Sequence, residues 1–562
     1  MNDIRRTILW VVFSMSLFLI WDAWNRHTGQ PSLFAPPPVA QPAAAGAPPA
    51  ASALPSAAAT LPSRSLPAPA TTESATASDR IDVTTDVFKA TLDTRGASLI
   101  RVEFPGQVDP LDRSKNMVLL DQSTQRLYVA QTGLLPPTGG AGLPNHHTAM
   151  KLVTAERALK DGSNALQLRF ESDEVGGVKL VKTYTFERSS YVIRVSHEVV
   201  NLAASTVAPR LYVQLVRDGN APAGESSFYF TFTGPAIYTD EAKFSKIDFK
   251  DIEKRKPGEK AQHPLDADNG WVAMVQHYFA SAWLIDRTDG ARLHREFYTG
   301  KVDANTYSVG MIASIGEIAA GASKTFDARL LVGPQEEDKL AALAPGLELV
   351  KDYGWFTILA KPLFWLLTQL HKLIGNWGWA IVGLVVLLKI AFYWLNATAY
   401  RSMAKMKAIN PKVMALRERL KDKPQEMQQE MMRIYREEKV NPLGGCLPIF
   451  VQMPFFIALY WVLLSSVEMR NAPWIAWITD LSAKDPFFIL PLLMTGTTMF
   501  QTWLNPTPPD PVQAKMMWIM PLVFSAMFFV FPAGLVLYWL TNNVLSIAQQ
   551  YLINKQLGVL GK

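Results

Sequence analysis

Charged residues are absent from three long stretches in the C-terminal third of the chain. These stretches cover residues 440–467, 486–509 and 516–554. A bilayer core about 30 Å thick is crossed by about 20 helical residues. The pattern therefore predicts one membrane span in each of the first two stretches and two in the third. The turn between those two is expected at residues 531–534, where the sequence Phe-Pro-Ala-Gly breaks a helix.

Two further spans are predicted earlier in the chain. Residues 7–21 carry no charge and follow two arginines, and no good signal-peptidase site comes after them. We therefore expect an uncleaved transmembrane anchor over residues 1–24. Another segment runs from 376 to about 400 with a single charge, Lys389. The total is six transmembrane helices, of which five belong to a core over residues 376–562.

The basic residues predict the orientation of these spans. Cytoplasmic loops are rich in Lys and Arg. The N-terminal arginines and the segment 401–440, with eleven basic and six acidic residues, are therefore expected in the cytoplasm. Six spans then return the C-terminus to the cytoplasm as well.

The long region between the first two spans is expected outside the cytoplasm. Residues 25–79 are predicted to be a disordered linker, because 25 of the 40 residues in 31–70 are Pro or Ala. Residues 80–345 contain many short alternating stretches separated by turn residues, which predict a large antiparallel β-sandwich outside the cytoplasm. Residues 350–374 are rich in aromatic and aliphatic side chains. They are expected to form an amphipathic helix in the interface on the side of the membrane that faces away from the cytoplasm.

Composition supports a membrane protein and excludes several other classes. Charged residues make up 19% of the 562 positions, against about 25% in soluble proteins, and the mean hydropathy is +0.07. A single cysteine excludes a disulfide framework and a multi-thiolate metal site. The net charge of +6 is too small to indicate nucleic acid.

The sequence shows no pattern typical of an enzyme. It contains no HExxH motif, no phosphate-binding loop and no complete nucleophile elbow, so we predict no catalytic residue, no cofactor and no metal. His146 and His147 are expected in a surface loop. Asp480 and Asp485 flank a short external loop and are expected to be solvated.

Lys389 is the first of three features that indicate function. A cation within a span is costly and usually faces the interior of the bundle. The alternative is snorkelling, because Lys389 lies twelve residues before Arg401, about 18 Å along a helix, and its side chain could reach the cytoplasmic interface.

The second feature is the basic segment 401–440. Its apolar residues recur at helical spacing and Pro424 interrupts them, which predicts two helices paired as an antiparallel hairpin. Six of the 20 methionines lie here and add an adaptable apolar surface. RNA, acidic lipid or a hydrophobic peptide would each fit this surface, and a merely solvated connection is the alternative.

The third feature is a set of polar residues inside the predicted spans. They could serve as interhelical contacts or, together with Lys389, line a partly hydrated cavity. The residues are Gln452, Thr495, Thr497, Thr498, Gln501, Thr502, Thr541, Asn542 and Asn543.

Three motifs of the chain are long and specific. They are Arg-Ser-Met-Ala-Lys-Met at 401–406, Glu-Glu-Lys-Val-Asn-Pro-Leu-Gly-Gly-Cys at 437–446 with the Gln-Met-Pro that follows at 452–454, and Phe-Pro-Ala-Gly-Leu-Val-Leu-Tyr at 531–538. Together they resemble the YidC family of membrane insertases in Gram-negative bacteria, which implies that the β-sandwich domain is periplasmic. The resemblance covers nearly the whole chain. It implies a protein of the inner membrane that inserts and folds nascent membrane proteins, alone or with the Sec translocon. It also implies contact with the ribosome and with membrane lipids, no contact with DNA, and no enzymatic activity.

The resemblance also implies site residues. The family carries a single cation in a hydrophilic groove that opens to the cytoplasm, and this position corresponds to Lys389, where many members have Arg. The other groove residues carried over are Gln501, Tyr538 and Trp539. Contacts of the cytoplasmic hairpin are carried over to Arg401, Lys405, Lys407, Arg417 and Arg419. Trp394 departs from the family, which has a proline there, so the local kink is not assured.

Two other functions stay open at this point. A solute transporter would also place a charge within a span, although the chain lacks the repeated halves usual in transporters. A periplasmic assembly scaffold would use the β domain as its working part.

Overall fold

The computed structural model describes residues 79–137, 142–222, 225, 231–256, 258–285, 293–420, 423–438, 447–505 and 511–556. Two compact units divide the chain between Lys351 and Asp352. The predicted anchor over 1–24 and the predicted linker up to residue 78 lie outside the described residues.

The first unit is built from eighteen β-strands. In chain order, β1 to β18 are Arg80–Thr84, Lys89–Asp93, Ser98–Val108, Asn116–Gln122, Leu127–Leu135, Met150–Leu152, Ala165–Ser172, Val178–Glu187, Val192–Asn201, Arg210–Asp218, Gly234–Thr239, Lys243–Lys246, Asp266–Ala267, Trp271–Gln276, Phe279–Ile285, Arg295–Asp303, Thr306–Ser314 and Ser323–Pro334. Two short helices, α1 over Phe249–Lys254 and α2 over Glu337–Leu343, and a 3₁₀ turn over Leu347–Val350 complete the unit.

These strands form two nine-stranded antiparallel sheets. One has the order β1-β2-β3-β4-β5-β10-β17-β16-β13 and the other β12-β11-β14-β15-β18-β9-β8-β7-β6. Hydrogen bonds join the sheets, for example from Trp283 Nε1 to the carbonyl oxygen of Gln214 at 3.0 Å. The predicted antiparallel β-sandwich is confirmed.

The alternation in the sequence accounts for this packing. Along β7, Leu166, Leu168 and Phe170 are buried while residues between them are more exposed, as a strand with one buried face requires. The central strand β10 is buried along almost its whole length, because residues pack against both of its faces.

The interior of the sandwich also holds polar groups. Lys182 is fully buried, and its Nζ donates hydrogen bonds to the carbonyl oxygens of Gly96 at 2.6 Å and Thr132 at 2.8 Å. His146 is also buried, with its Nδ1 2.5 Å from the hydroxyl oxygen of Tyr212. The surface-loop prediction is therefore wrong for His146, because the Tyr212 hydroxyl satisfies its ring in the interior.

The second unit is helical. Its helices α3 to α10 are Thr357–Ile374, Trp377–Ala391, Tyr393–Arg419, Pro424–Glu437, Leu447–Ser465, Ile489–Leu504, Pro511–Met527 and Ala533–Gln556, and 3₁₀ turns cover Gly354–Phe356 and Val467–Met469. The break between α9 and α10 falls where the Phe-Pro-Ala-Gly sequence predicted it. Helix α3 lies within residues 350–374, where an amphipathic interfacial helix is expected.

The helix predicted from 376 to about 400 is broken. Helices α4 and α5 meet at Phe392 with a bend of 68°. No proline is needed for this bend, because contacts to α7 hold both sides of the break. The ring of Phe392 packs edge-on against Phe455 at 5.0 Å, and Asn396 accepts a hydrogen bond from Gln452 at 3.0 Å.

Length and apolar composition do not qualify any single helix of the described residues as a membrane span. The bent pair formed by Trp377–Ala391 and Tyr393–Met406 qualifies when it is taken together. Val451–Ser465 and Ala514–Met527 are shorter apolar helices.

Helices α5 and α6 cover most of the segment 401–440, for which a helical hairpin is expected. Pro424 lies in the first turn of α6, where a proline costs no hydrogen bond. Val413 and Leu416 of the apolar stripe are buried. Lys412 of α5 pairs with Glu438, just beyond the end of α6, at 2.5 Å, and this ion pair joins the two helices.

Candidate functional site

Lys389 lies in the last turn of α4. The helix begins at a fixed point, because the side chain of Asn376 accepts a hydrogen bond from the backbone N–H of Trp379 at 3.1 Å. Three turns later Lys389 points across the bundle, where its Nζ donates to the hydroxyl of Ser546 on α10 at 2.7 Å. The ammonium group therefore lies beside α10.

Lys389 lines a partly open cavity, whose empty space of about 310 Å³ includes the part open to the outside. Helices α4, α7 and α10 and the residue at the helix break supply its walls. The lining residues are Val385, Leu388, Lys389, Phe392, Gln452, Phe455, Phe456, Tyr538 and Asn542.

One side of the cavity is polar. Gln452 donates its amide to Asn396 and so has a fixed orientation beside the cavity. Asn542 lies one helical turn before Ser546, and its carbonyl oxygen accepts a hydrogen bond from the Ser546 hydroxyl at 2.7 Å. An ammonium group flanked by amides can bind an anionic or hydrogen-bonding group.

The remaining wall is aromatic and apolar. Phe392 packs against Phe455, and Phe456 packs against Tyr538 with ring centroids 5.8 Å apart. Val385 and Leu388 add aliphatic surface. The cavity therefore combines one cation with surface suited to a hydrophobic segment.

The polar residues of the predicted spans differ in what their side chains contact. Gln452 and Asn542 line the cavity. Others make contacts between helices, as Asn543 does with Thr498 at 2.9 Å. The threonine hydroxyls of this set donate to carbonyl oxygens of their own helix: Thr495, Thr497, Thr498, Thr502 and Thr541.

The structure brings together only part of the predicted groove set. Lys389 and Tyr538 line the same cavity, whereas Gln501 and Trp539 are not among its lining residues. Gln501 is half-buried on α8. The Trp539 ring instead packs edge-on against Phe528 at 4.8 Å.

The predicted hairpin contacts are mostly accessible. Arg401, Lys405 and Arg419 are exposed, and Arg417 is half-buried. The side chain of Lys407 lies outside what the structure describes.

Ser546 was not predicted from the sequence. A lone serine in an apolar helix gives no local signal, and it lies 157 residues away from Lys389. The only signal available was its place on α10, one turn after Asn542, in a row of polar positions.

The prediction that Asp485 is solvated is wrong. Its carboxylate is 1% exposed and accepts hydrogen bonds from Trp477 Nε1 at 3.0 Å and from the backbone N–H groups of Phe487 and Leu490 at 3.0 and 2.7 Å. Three donors replace the water that the carboxylate loses. They fix the loop over 471–488 at the end of the bundle where α4 and α10 begin.

The same loop contacts the first residues of two helices. Asn376 donates to the carbonyl oxygen of Pro473 at 3.1 Å, and the backbone N–H of Ala533 donates to the carbonyl oxygen of Ala483 at 2.7 Å. The cavity beside Lys389 therefore lies towards the other end of α4, near the hairpin. Within the described ranges, no group of three His, Cys, Asp or Glu residues is placed to hold a metal.

Two family models match successive parts of the chain. Residues 80–366 match the YidC periplasmic domain, and residues 369–558 match the 60Kd inner membrane protein family. A crystal structure described as an active YidC insertase with the first transmembrane domain resolved aligns with 84% of this chain and 92% of its own, at 18% identity and a TM-score of 0.38.

Full-length relatives carry the same family name. The membrane protein insertase YidC of Ralstonia nicotianae is 54% identical over 560 residues, which cover 99% of this chain and 98% of the relative. That of Cupriavidus taiwanensis is 52% identical over 565 residues with the same coverage. The resemblance seen in the motifs is thus confirmed, and the chain belongs to the YidC family of bacterial inner membrane protein insertases.

Proposed function

We propose that this protein inserts nascent membrane proteins into the inner membrane and that the cavity beside Lys389 receives their polar leading segments. The observation that carries the proposal is the lysine itself. Its ammonium has three protons, and Ser546 is its one hydrogen-bond partner among the described residues. Two donors are left to face a cavity that also offers amides and aromatic rings.

The outer surface of the helical unit supports placement in a membrane. Helices α8 and α9 expose large apolar side chains that soluble proteins rarely cluster, among them Leu492, Trp503 and Val523, each about 60% exposed. Lipid would cover these side chains without a free-energy cost. Six spans with both termini in the cytoplasm are part of the proposal.

Helix α3 fits the interface in the same way. It buries Leu363 and Leu367 against the helical unit and exposes Ile358, Trp365 and Leu373. A helix with apolar side chains on its outer face and an exposed tryptophan suits the boundary between headgroups and hydrocarbon.

The cavity lowers the barrier to insertion in two ways. A polar or acidic segment that enters it finds a cation and two amides in place of water, so it crosses less hydrocarbon. The hydrophobic segment that follows passes between aromatic walls and leaves towards lipid, which the burial of apolar surface favours. Lysine lacks the planar fork of arginine, so its hold on a carboxylate is less directional and release is easier.

The basic hairpin supplies the cytoplasmic contacts. Its exposed cations Arg401, Lys405 and Arg419 would meet the ribosome and anionic lipid headgroups. Exposed Met414 and Met432 add apolar surface for a hydrophobic client segment. Cooperation with the Sec translocon belongs to the same proposal, and DNA is not a partner.

Insertion requires no covalent chemistry. The relatives are named for insertion, an activity in which a client changes its surroundings and no covalent bond is made or broken. A solute transporter and a periplasmic scaffold are therefore disfavoured by family membership, and the protein is not an enzyme.

Site-specific photo-crosslinking to a stalled ribosome-bound membrane protein tests the proposal. Probes at Val385 and Phe456 face the cavity and leave Lys389 in place, while a probe at Ile390 lies on the same helix as Val385 but is 66% exposed and does not line the cavity. We expect crosslinks from 385 and 456 only at chain lengths where the client span is inserting. Equal crosslinks from 390, or none from 385 and 456 at any length, would contradict a client path through the cavity.

A further inference from the structure

The Ser546 side chain contacts three groups: the carbonyl oxygen of Asn542, the Lys389 Nζ and the side chain of Tyr400. Its hydroxyl is 4% exposed on α10 and donates its single proton to the carbonyl oxygen of Asn542 at 2.7 Å. Towards the Lys389 Nζ, also at 2.7 Å, the same oxygen can therefore only accept. The hydroxyl thus presents its lone pairs to the lysine in a fixed direction.

This contact decides where the ammonium lies. A lysine side chain has four rotatable bonds, and Lys389 lies near the end of α4 that leads to the hairpin. A free side chain there would extend to water at the interface. The bond to Ser546 instead holds the ammonium across the bundle, beside Asn542 and the cavity.

We propose that Ser546 is a positioning residue that holds the Lys389 ammonium at the cavity, where acidic client segments meet it. The inference rests on the proposed function, because it assigns a role to Ser546 through the lysine. The inference predicts a selective loss of insertion when Ser546 is replaced. Insertion of clients with acidic segments should fall, and insertion of clients without acidic residues should not.

Asn543 provides a matched control on the same helix. It too is a buried polar residue whose side chain joins α10 to a neighbouring helix, through Thr498 at 2.9 Å, but it does not contact Lys389. Asn543→Ala therefore removes one interhelical hydrogen bond and leaves the cation in place. A purely structural role for Ser546 predicts that Ser546→Ala and Asn543→Ala behave alike.

The experiment uses the full-length protein in proteoliposomes with two client proteins that differ only in their leading segment, which carries Asp residues in one and Asn residues in the other. We expect Ser546→Ala to lower insertion of the acidic client about three- to tenfold, which is the range for the loss of one ordinary intramolecular hydrogen bond. Insertion of the neutral client should not change. Ser546→Thr, which keeps the hydroxyl, should restore the acidic client.

A double mutant tests whether Ser546 acts through the lysine. In a Lys389→Ala background, Ser546→Ala should cause no further loss, because the group that it positions is gone. Additive losses, equal losses for both clients, or a loss as selective with Asn543→Ala would overturn the inference. If Lys389→Ala changes insertion of the two clients equally, the proposed function is contradicted. That result differs from each of the results that would overturn the inference about Ser546.

A second measurement does not depend on insertion. A water-soluble acylating reagent modifies amines that reach water. The full-length protein is treated with it and then digested, and mass spectrometry of the peptides gives the rate at which Lys389 is acylated. Ser546→Ala should raise this rate several-fold, whereas Asn543→Ala and Ser546→Thr should not. An unchanged rate in Ser546→Ala would also overturn the inference.

Discussion

Each unit of the molecule holds a lysine away from bulk water, and the two units do so in different ways. In the sandwich, Lys182 is fully buried and donates to two backbone carbonyl oxygens, those of Gly96 and Thr132. In the helical unit, Lys389 is half-buried, bonds a single hydroxyl and borders a cavity. Burial alone therefore does not mark a lysine for function, whereas donors left over beside an open space do.

The two units also differ in the number of large hydrophobic side chains that they expose. The described part of the sandwich exposes four large hydrophobic side chains, and these are scattered: Leu111, Val153, Leu202 and Leu265. Helix α9 alone exposes more than that within Met516–Met527. The sandwich follows the rule for a protein in water, while the helical unit has the surface expected in lipid.

The largest expected effect comes from making the same substitution at both lysines. Lys182→Met keeps the volume but leaves two buried carbonyl oxygens without a donor, so the sandwich should lose about 3 kcal/mol of stability. Lys389→Met removes a cation that has a single partner and should change the stability of the helical unit by less than about 1 kcal/mol. Hydrogen exchange of the full-length protein, read separately for β8 and for α10, measures both. If Lys182→Met lowered protection in β8 and Lys389→Met lowered protection in α10 by similar amounts, the expected difference between the two lysines would be wrong.

The second expected effect is a pH dependence of the stability of the sandwich. Burial lowers the pKa of Lys182 to about 7, from 10.5 in the unfolded chain. Between these values the unfolded state binds a proton that the folded state does not, so stability rises with pH, by at most about 1.4 kcal/mol per unit. Below pH 7 Lys182 is protonated in both the folded and the unfolded state, so its contribution to stability no longer changes with pH.

Lys182→Met isolates this contribution. Subtracting the variant removes the titration of other groups, and the difference in β8 protection should grow from pH 7 to pH 9. His197 packs beside Thr132 and stays neutral over this range, because burial lowers its pKa to about 3. A difference that is flat between pH 7 and pH 9 would show that Lys182 stays charged in the folded sandwich.

The third expected effect concerns the loop opposite the hairpin. Asp485→Ala removes the acceptor of three hydrogen bonds and leaves the N–H groups of Phe487 and Leu490 unpaired, at a cost of about 2 kcal/mol. The loss should appear as faster hydrogen exchange at the start of α8. The neighbouring Asp480, which is only half-buried, is the matched control, and Asp480→Ala should have a smaller effect. Similar effects at both positions would contradict the role of Asp485.

The alternation and charge patterns predicted the fold better than they predicted the site. Strands such as β7 and the break before Ala533 are encoded by neighbouring residues, so local patterns suffice for them. The bond between Lys389 and Ser546, and the burial of Asp485 against Trp477, depend on which helix faces meet and on how a loop folds back. Gln501 shows the same limit, because its distance from the cavity depends on the rotation of α8, which composition does not encode.

The smallest expected effect is at Trp394, where the family resemblance called for proline. The side chain is 77% exposed, and the residue lies in the first turn of α5, where the backbone N–H has no partner within the helix. Trp394→Pro should therefore change stability by less than about 0.5 kcal/mol and leave the selectivity between acidic and neutral clients intact. The contacts of Phe392 and Asn396 with α7 already hold the 68° bend that a proline would favour. A marked rise in stability or insertion with Trp394→Pro would show that these contacts leave the bend incompletely fixed. The cavity beside Lys389 would then depend on a proline that this chain lacks.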